Sequence, residues 1–475
     1  MLSDSIPVHY SSAQAIAAAI KSGQTCSVDV TRLFLDRIAR APGLHAYSVV
    51  FEERAMVQAA AADRLQADGA RLGALHGVPV AVKDSVQVEG FATLAGSLTR
   101  QGVISDASST VARRMVDAGM VILGKTNMTE YAFGLSGQNP TVGTARNPWD
   151  ARTARAPGGS SSGAGVCVAA GLAPIAIGGD TGGSVRAPAL LNGLVGYKPS
   201  TGVIGRGGCV PLSDTLDVLG PICRTVDDAQ AMTALLAGVD AQDAATSSAA
   251  VPGADEWSRP LDTGAVSLLI VDPTCWPGEL APDVHAQWDA TLDRLTDAGV
   301  HIVHWTPPAG FDFKSLSQDN SVVLGYEGFQ YYGALAQNPT EPFWEIVRQR
   351  ILRGAQTSRQ DYEAALARRA HAMAVFAASL APNAVVLMPG CREGARALDA
   401  ADDTHAHLGD WLRAGNFLGA AALTLPCGFD DQGMPTGVQL LAPASRDLAL
   451  LAAAKSVECV IGPLAKQPDL SAWGL

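Results

Sequence analysis

Seven short, largely apolar runs constrain this chain most. They fall at 78–82, 120–123, 174–178, 193–197, 384–388, 421–425 and 437–441. A strand with one wet face alternates apolar and polar residues. A strand apolar at successive positions is buried on both faces, and that burial needs helices packed on either side. Helix-like segments do separate the runs. Ser11 and Ser12 read as a cap before 13–20, and Gly23 as a stop. Residues 28–39 carry Val30, Leu33, Leu35 and Ile38 at helical spacing, 55–67 are alanine-rich, and 163–170 fit a helix. The pattern predicts an α/β fold: a single large domain with a central mixed β-sheet flanked by helices.

Composition shifts at 238–264, which is rich in Ala, Ser, Asp and Pro. This reads as an exposed connection into a variable, less patterned region, about 239–369, expected to set substrate specificity. Aromatic residues gather there, among them Trp305, Phe311, Phe313, Tyr326, Tyr332 and Trp344. They offer either an apolar pocket lining or ordinary core. Apolar runs return after 384, so the C-terminal part is expected to rejoin the same sheet. Residues 1–475 then form one domain without a fixed-period repeat.

Hydrophobic residues are 48% of the 475 and charged residues 17%, which fits a substantial core. The net charge of −12 disfavours direct, non-specific binding to nucleic acid. The eight cysteines form no CxxC pair and no Cys/His cluster. They read as reduced thiols of a cytoplasmic protein, with no disulfide frame and no metal site. No secretory signal is visible at the N-terminus. The apolar stretch 166–178 is broken by Gly171 and Pro174 and is too short for a bilayer. The Asn127-Met128-Thr129 sequon therefore reads as accidental.

Two motif matches fail on physical grounds. Gly119 to Thr126 fits the phosphate-loop pattern letter for letter. Such a loop needs small, flexible residues whose amides wrap phosphate, whereas Met120 to Leu123 read as a buried strand. Gly159-Ser160-Ser161-Ser162-Gly163 fits a hydrolase nucleophile elbow with Ser161 as nucleophile. An elbow follows directly on a buried strand. Here Asn147 to Pro157 read as loop, and His405 or His407 with Asp399, Asp402 or Asp403 are partners in form only.

A different constellation remains. Lys83 ends the apolar run in Gly77-Val78-Pro79-Val80-Ala81-Val82-Lys83-Asp84. Serines sit among glycines in Pro157-Gly158-Gly159-Ser160-Ser161-Ser162-Gly163 and in Gly178-Gly179-Asp180-Thr181-Gly182-Gly183-Ser184. A serine hydroxyl is a weak nucleophile until a base takes its proton. A lysine can be that base when burial disfavours its ammonium form. Taken alone, Lys83 reads better as a strand-end lysine paired with Asp84. The Gly-Gly pair before Ser184 gives amides little bulk, as an oxyanion hole needs and as an ordinary tight turn also does.

These segments resemble the amidase signature family. The likeness is tight over 75–228, the signature core, and includes Gly124-Lys125-Thr126-Asn127-Met128-Thr129-Glu130, Asn147-Pro148-Trp149-Asp150, Tyr197-Lys198-Pro199 and Leu216-Asp217-Val218-Leu219-Gly220-Pro221. Leu423-Thr424-Leu425-Pro426-Cys427-Gly428-Phe429 and Gly437-Val438-Gln439-Leu440 match near the end. The resemblance implies a Ser–cis-Ser–Lys triad: Lys83 as base, Ser160 as bridging serine after a cis bond, Ser184 as nucleophile. It implies a supporting hydrogen bond from Ser161, and an oxyanion hole from the amides of Thr181, Gly182, Gly183 and Ser184. Asp180 and Arg186 are expected to hold the loop, with Arg186 on a substrate carboxylate as the lesser alternative. The activity implied is hydrolysis of a small carboxamide, without cofactor, metal, nucleic acid or membrane, in a protein free to form a homo-oligomer. The alternative within the family is the amidase subunit of glutamyl-tRNA amidotransferase, which releases ammonia from glutamine. Gly124 to Glu130 resemble that subunit well, and Gly390-Cys391-Arg392-Glu393 depart from it.

Overall fold

The computed structural model describes residues 7–70, 72–264, 266–398 and 406–475. Eleven strands form one sheet: β1 (Tyr47–Val50), β2 (Pro79–Lys83), β3 (Val121–Thr126), β4 (Ala176–Asp180), β5 (Val195–Lys198), β6 (Val218–Cys223), β7 (Ser267–Val271), β8 (Ile302–Trp305), β9 (Ala384–Pro389), β10 (Ala421–Phe429) and β11 (Pro435–Ala442). Their spatial order is β1-β3-β2-β4-β6-β5-β10-β11-β9-β7-β8. The sheet is mixed. β3-β2-β4 and β8-β7-β9 run parallel within each group, and the remaining pairs are antiparallel.

Both faces are buried, and the side-chain period of two sorts each strand between them. Leu268, Ile270, Val385 and Leu387 enter one core with the helices Ala13–Lys21, Ser27–Arg40, Ser162–Ala169 and Asp447–Ile461. Their neighbours Leu269, Val271, Val386 and Met388 enter a second core with the helices Phe313–Gln337 and Arg359–Ser379. Each apolar run thus feeds two cores. The region expected to be less patterned supplies β7 and β8 to this sheet, the helix Pro282–Asp297 to its first face, and the helix Phe313–Gln337 and the start of Arg359–Ser379 to its second.

The site follows from the parallel group. β2, β3 and β4 end on the same edge, at Lys83, Thr126 and Asp180. In open α/β sheets the crevice beyond the carboxyl ends of parallel strands is where chemistry collects. The strand β3 runs through Lys125 and Thr126, so no helix begins there and no phosphate loop exists. Among the described residues no helix is long and apolar enough to cross a membrane.

Candidate active site

Lys83 is 2% exposed. Its Nζ donates to Ser160 Oγ at 2.7 Å and to Gly179 O at 3.3 Å. Burial pushes the ammonium down to about 8, against the pull of Asp217, Asp180 and Cys209. Ser160 is wholly buried, follows a cis Gly159–Ser160 bond, and is pinned where Thr129 N–H donates to its carbonyl at 3.0 Å. The approach is tight: a Cβ on Gly159 would lie 2.8 Å from Gly137 Cα.

Ser161 ties this loop to the next. Its Oγ accepts from Gly179 N and donates to Gly179 O, each at 3.2 Å. Its N–H donates to Ser184 O at 3.3 Å. Ser184 is therefore held beside Ser160 by backbone. Among the described residues no hydrogen bond joins the two serine hydroxyls. The first step of the expected relay is closed and the second is open.

Asp180 templates the loop that carries Ser184. Its Oδ1 accepts from Gly183 N at 2.7 Å and its Oδ2 from Val185 N at 3.1 Å. Burial would raise this carboxyl, but the paired Arg186 guanidinium holds it well below the usual range. Arg186 also donates to Leu412 O, Gln439 Oε1 and Asn416 Oδ1, and is wholly buried. It is committed to the fold and cannot reach a substrate. Thr181 Oγ1 donates to Asp217 Oδ1 at 2.5 Å. Gly183 adopts φ +119°, and a Cβ there would lie 2.6 Å from Leu412 Cβ, so only glycine fits.

This geometry narrows the four expected oxyanion donors. The Gly183 N–H is taken by Asp180, because an aspartate three residues upstream captures a turn amide. The amides of Thr181, Gly182 and Ser184 make no hydrogen bond to a described residue. Those same three residues line the cavity and Gly183 does not.

Two cavities meet at Ala132 and Thr181. One, of about 300 Å³, reaches Lys83, Gly179 and Asp217. The other, of about 500 Å³, contains Ser184 and is walled by Phe133, Leu135, Leu324, Arg350, Arg353 and Arg413. None of the aromatic residues gathered between 305 and 344 lines it. Trp305, Phe311 and Phe313 pack together with Phe376 in the second core, Tyr332 lies against Tyr131, and Tyr326 stacks on Tyr362. Of the formal elbow partners, His407 faces Glu393 at 3.1 Å. His405, Asp399, Asp402 and Asp403 lie outside the described residues. Among the described residues no cluster of His, Cys, Asp or Glu could hold a metal.

The family model Amidase matches residues 29–451, most of the chain. The chain belongs to the amidase signature family. It is 34% identical to the glutamyl-tRNA(Gln) amidotransferase A subunit of Thermobifida fusca over 478 residues, covering 95% of each chain. With its counterpart of the same name from Acidothermus cellulolyticus the identity is 35% over 460 residues, 91% of this chain and 90% of that one. The native peptide amidase of Stenotrophomonas maltophilia superposes with a TM-score of 0.80 at 27% identity, covering 98% of this chain and 99% of that one.

Among the features of this amidase that the sequence did not single out are Asp217 as an anchor for Thr181, Asn416 as a brace for the Asp180 carbonyl at 2.8 Å, and the three arginines. Asp180-x-x-Gly183 was a legible turn signal. The arginines carried none, because Arg350 and Arg353 share the helix Glu345–Arg353 while Arg413 comes from the distant helix Ala406–Phe417.

Proposed function

We propose that this amidase hydrolyses a small carboxamide to a carboxylic acid and ammonia or an amine through a Ser184 acyl-enzyme. One observation carries the reading: a buried lysine, lowered toward neutrality, rests on a buried serine beside a second serine at the cavity floor. Neutral Lys83 draws the Ser184 proton through Ser160. The Ser184 Oγ–carbon bond forms, and the oxyanion takes hydrogen bonds from the amides of Thr181, Gly182 and Ser184. The carbon–nitrogen bond breaks as the proton passes to the leaving nitrogen. Water then adds to the acyl carbon, its proton returns to Ser184, and the acid departs. The open Ser160–Ser184 contact fits a relay whose catalytic hydrogen bonds tighten when substrate binds.

A fluorophosphonate should label Ser184 stoichiometrically, and Ser184→Ala should abolish both labelling and ammonia release. Wild-type turnover by that variant overturns the nucleophile.

Full-length similarity to the amidotransferase polypeptides favours a second reading, release of ammonia from glutamine inside a complex. The purified chain alone decides between them. Hydrolysis of simple amides without companion chains, ATP or tRNA supports the stand-alone enzyme, and strict dependence on them supports the complex.

A further inference from the structure

The N–H groups of Thr181, Gly182 and Ser184 have no partner among the described residues. A trans peptide is planar, so its N–H points opposite to the carbonyl of the residue before it. The peptide bonds into these residues are all trans. Whatever holds the preceding carbonyl therefore aims the amide.

Each of those carbonyls is held. Asn416 Nδ2 donates to Asp180 O at 2.8 Å. Asn320 Nδ2 donates to Thr181 O at 3.4 Å. Ala187 N donates to Gly183 O at 2.7 Å, in the first turn of the helix Arg186–Asn192. None of Asn320, Asn416 and Ala187 lines either cavity, so they act on the site only through the backbone they hold. Asn416 has other tasks, since it accepts from Arg186 Nη2 at 2.6 Å and donates to Leu216 O at 3.3 Å.

Asn320 is less occupied. It is wholly buried on the helix Phe313–Gln337, outside the 75–228 segment that carries Lys83, Ser160 and Ser184. Its Nδ2 makes two long bonds, to Thr181 O and, at 3.5 Å, to Arg413 O. Its Oδ1 has no hydrogen-bond partner among the described residues. A buried amide with one end unpaired lowers stability. Turning the amide over would set Oδ1 against two carbonyl oxygens, so the donor end faces the loop. Oδ1 stands 3.5 Å from where a Cβ on Gly182 would be, so the side chain lies against the residue whose N–H it aims.

We infer that Asn320 is a positioning residue for the oxyanion hole: it fixes the Thr181–Gly182 peptide so that the Gly182 N–H faces the charge developing on the substrate oxygen. Asn416 does the same for the Thr181 N–H. This rests on the hydrolase reading above. Donors fixed before the reaction need no reorganisation during it, which is what makes such a hole effective.

The test uses the full chain and two ketones that share a pentyl group. Ser184 Oγ bonds to the carbonyl carbon of pentyl trifluoromethyl ketone, the π pair moves onto oxygen, and the Ser184 proton passes through Ser160 to Lys83. The charged oxygen of that adduct needs the loop amides. Methyl pentyl ketone resists addition and reads ground-state binding alone. Asn320→Leu should bind the trifluoromethyl ketone about tenfold more weakly and the methyl ketone equally well. Its kcat for hexanamide should fall by a similar factor with KM little changed. It should melt at or above the native temperature, because leucine removes the unpaired amide. Native affinity for the trifluoromethyl ketone in this variant overturns the inference and leaves the hydrolase standing. Lower melting with both ketones weakened alike also overturns it, because that pattern marks a merely structural residue. Should leucine prevent folding, Asn320→Asp keeps the size and replaces the donor with an acceptor, and the same ketone ratio must fall. A native chain that favours neither ketone and takes up no fluorophosphonate loses the hydrolase reading and the inference together. One that favours the trifluoromethyl ketone but releases no ammonia from simple amides loses the hydrolase reading alone, and the ketone ratio still judges Asn320.

Discussion

The strand-and-loop core and the helical wall of the Ser184 cavity use cations in opposite ways. In the core, Lys83 and Lys125 end neighbouring strands and are 2% and 0% exposed. Burial drives each down to about 8. In the wall, Arg350 and Arg413 are half-buried and Arg353 is exposed. Lysine can surrender its proton when desolvated, and arginine in a protein cannot. A base that must be neutral is therefore a buried lysine. A group that must attract charge at every working pH is an arginine at a cavity rim. The proposed chemistry lies with the core, and the wall shapes the cavity that Ser184 lines.

The largest effect comes from breaking the core's side of that contrast. Lys83→Arg keeps a cation but removes a cation able to lose its charge. We expect kcat to fall by about 10³-fold or more, as for loss of an essential base. Lys83→Met should fall as far while leaving stability equal or higher, because a desolvated amine is replaced by an apolar chain. In the native enzyme kcat/KM should rise with pH through about 8, as Lys83 loses its proton, and be flat above. A lysine-like rate from the arginine variant would show that proton abstraction does not pass through position 83.

Lys125 tests whether burial alone makes a base. Its Nζ lies 3.6 Å from Asp84 Oδ1, donates to Ala92 O at 2.7 Å, and is bonded to Thr93 Oγ1. Among the described residues no serine is joined to it by a hydrogen bond, so a structural role is expected of it. Lys125→Met should cost about 1–3 kcal/mol by denaturant titration, because buried acceptors lose their donor. The pH dependence carries its own sign. Lys125 titrates at about 8 when folded and near 10.5 otherwise. Between those values the unfolded chain holds more protons, so stability climbs as pH rises. Lys125→Met should flatten that climb by one proton. A loss in kcat rather than in stability would erase the distinction between the two lysines.

The two regions also differed in how much the sequence disclosed. The core was legible because its strands are contiguous and apolar. Lys83 closes such a run, and the glycine–serine loops lie close in sequence to the strands that position them. β6 was not expected as a strand, since Gly220 and Pro221 interrupt it and both normally argue against a central strand. β1 and β8 are partly exposed and mix polar with apolar residues, so no buried run marks them. The aromatic cluster left pocket and core both open for the opposite reason. Large apolar side chains announce burial, and burial in a core looks the same in sequence as burial at a cavity. The arginine wall was invisible because Arg350 and Arg353, on the helix Glu345–Arg353, lie far in sequence from Arg413, on the helix Ala406–Phe417, and come to line one cavity only in the folded chain.

The smallest effect probes the wall through a residue that never touches substrate. Gly409 sits inside the helix Ala406–Phe417, where glycine is a poor helix former. Alanine there should stabilise the helix by about 0.5–1 kcal/mol on propensity alone. Its Cβ, however, would fall 2.3 Å from Arg413 Cζ. The guanidinium is the far end of a flexible side chain, so it can swing aside at little energetic cost. Gly409→Ala should therefore melt slightly higher than the native chain and, as Arg413 shifts in the cavity wall, show KM changed a few-fold with kcat little changed. Gly409 then acts as a positioning residue for Arg413. A rise in melting temperature with KM unmoved would leave the glycine as a helix defect without consequence for recognition. A drop in kcat with KM unmoved would place Arg413 with the core chemistry instead of the wall.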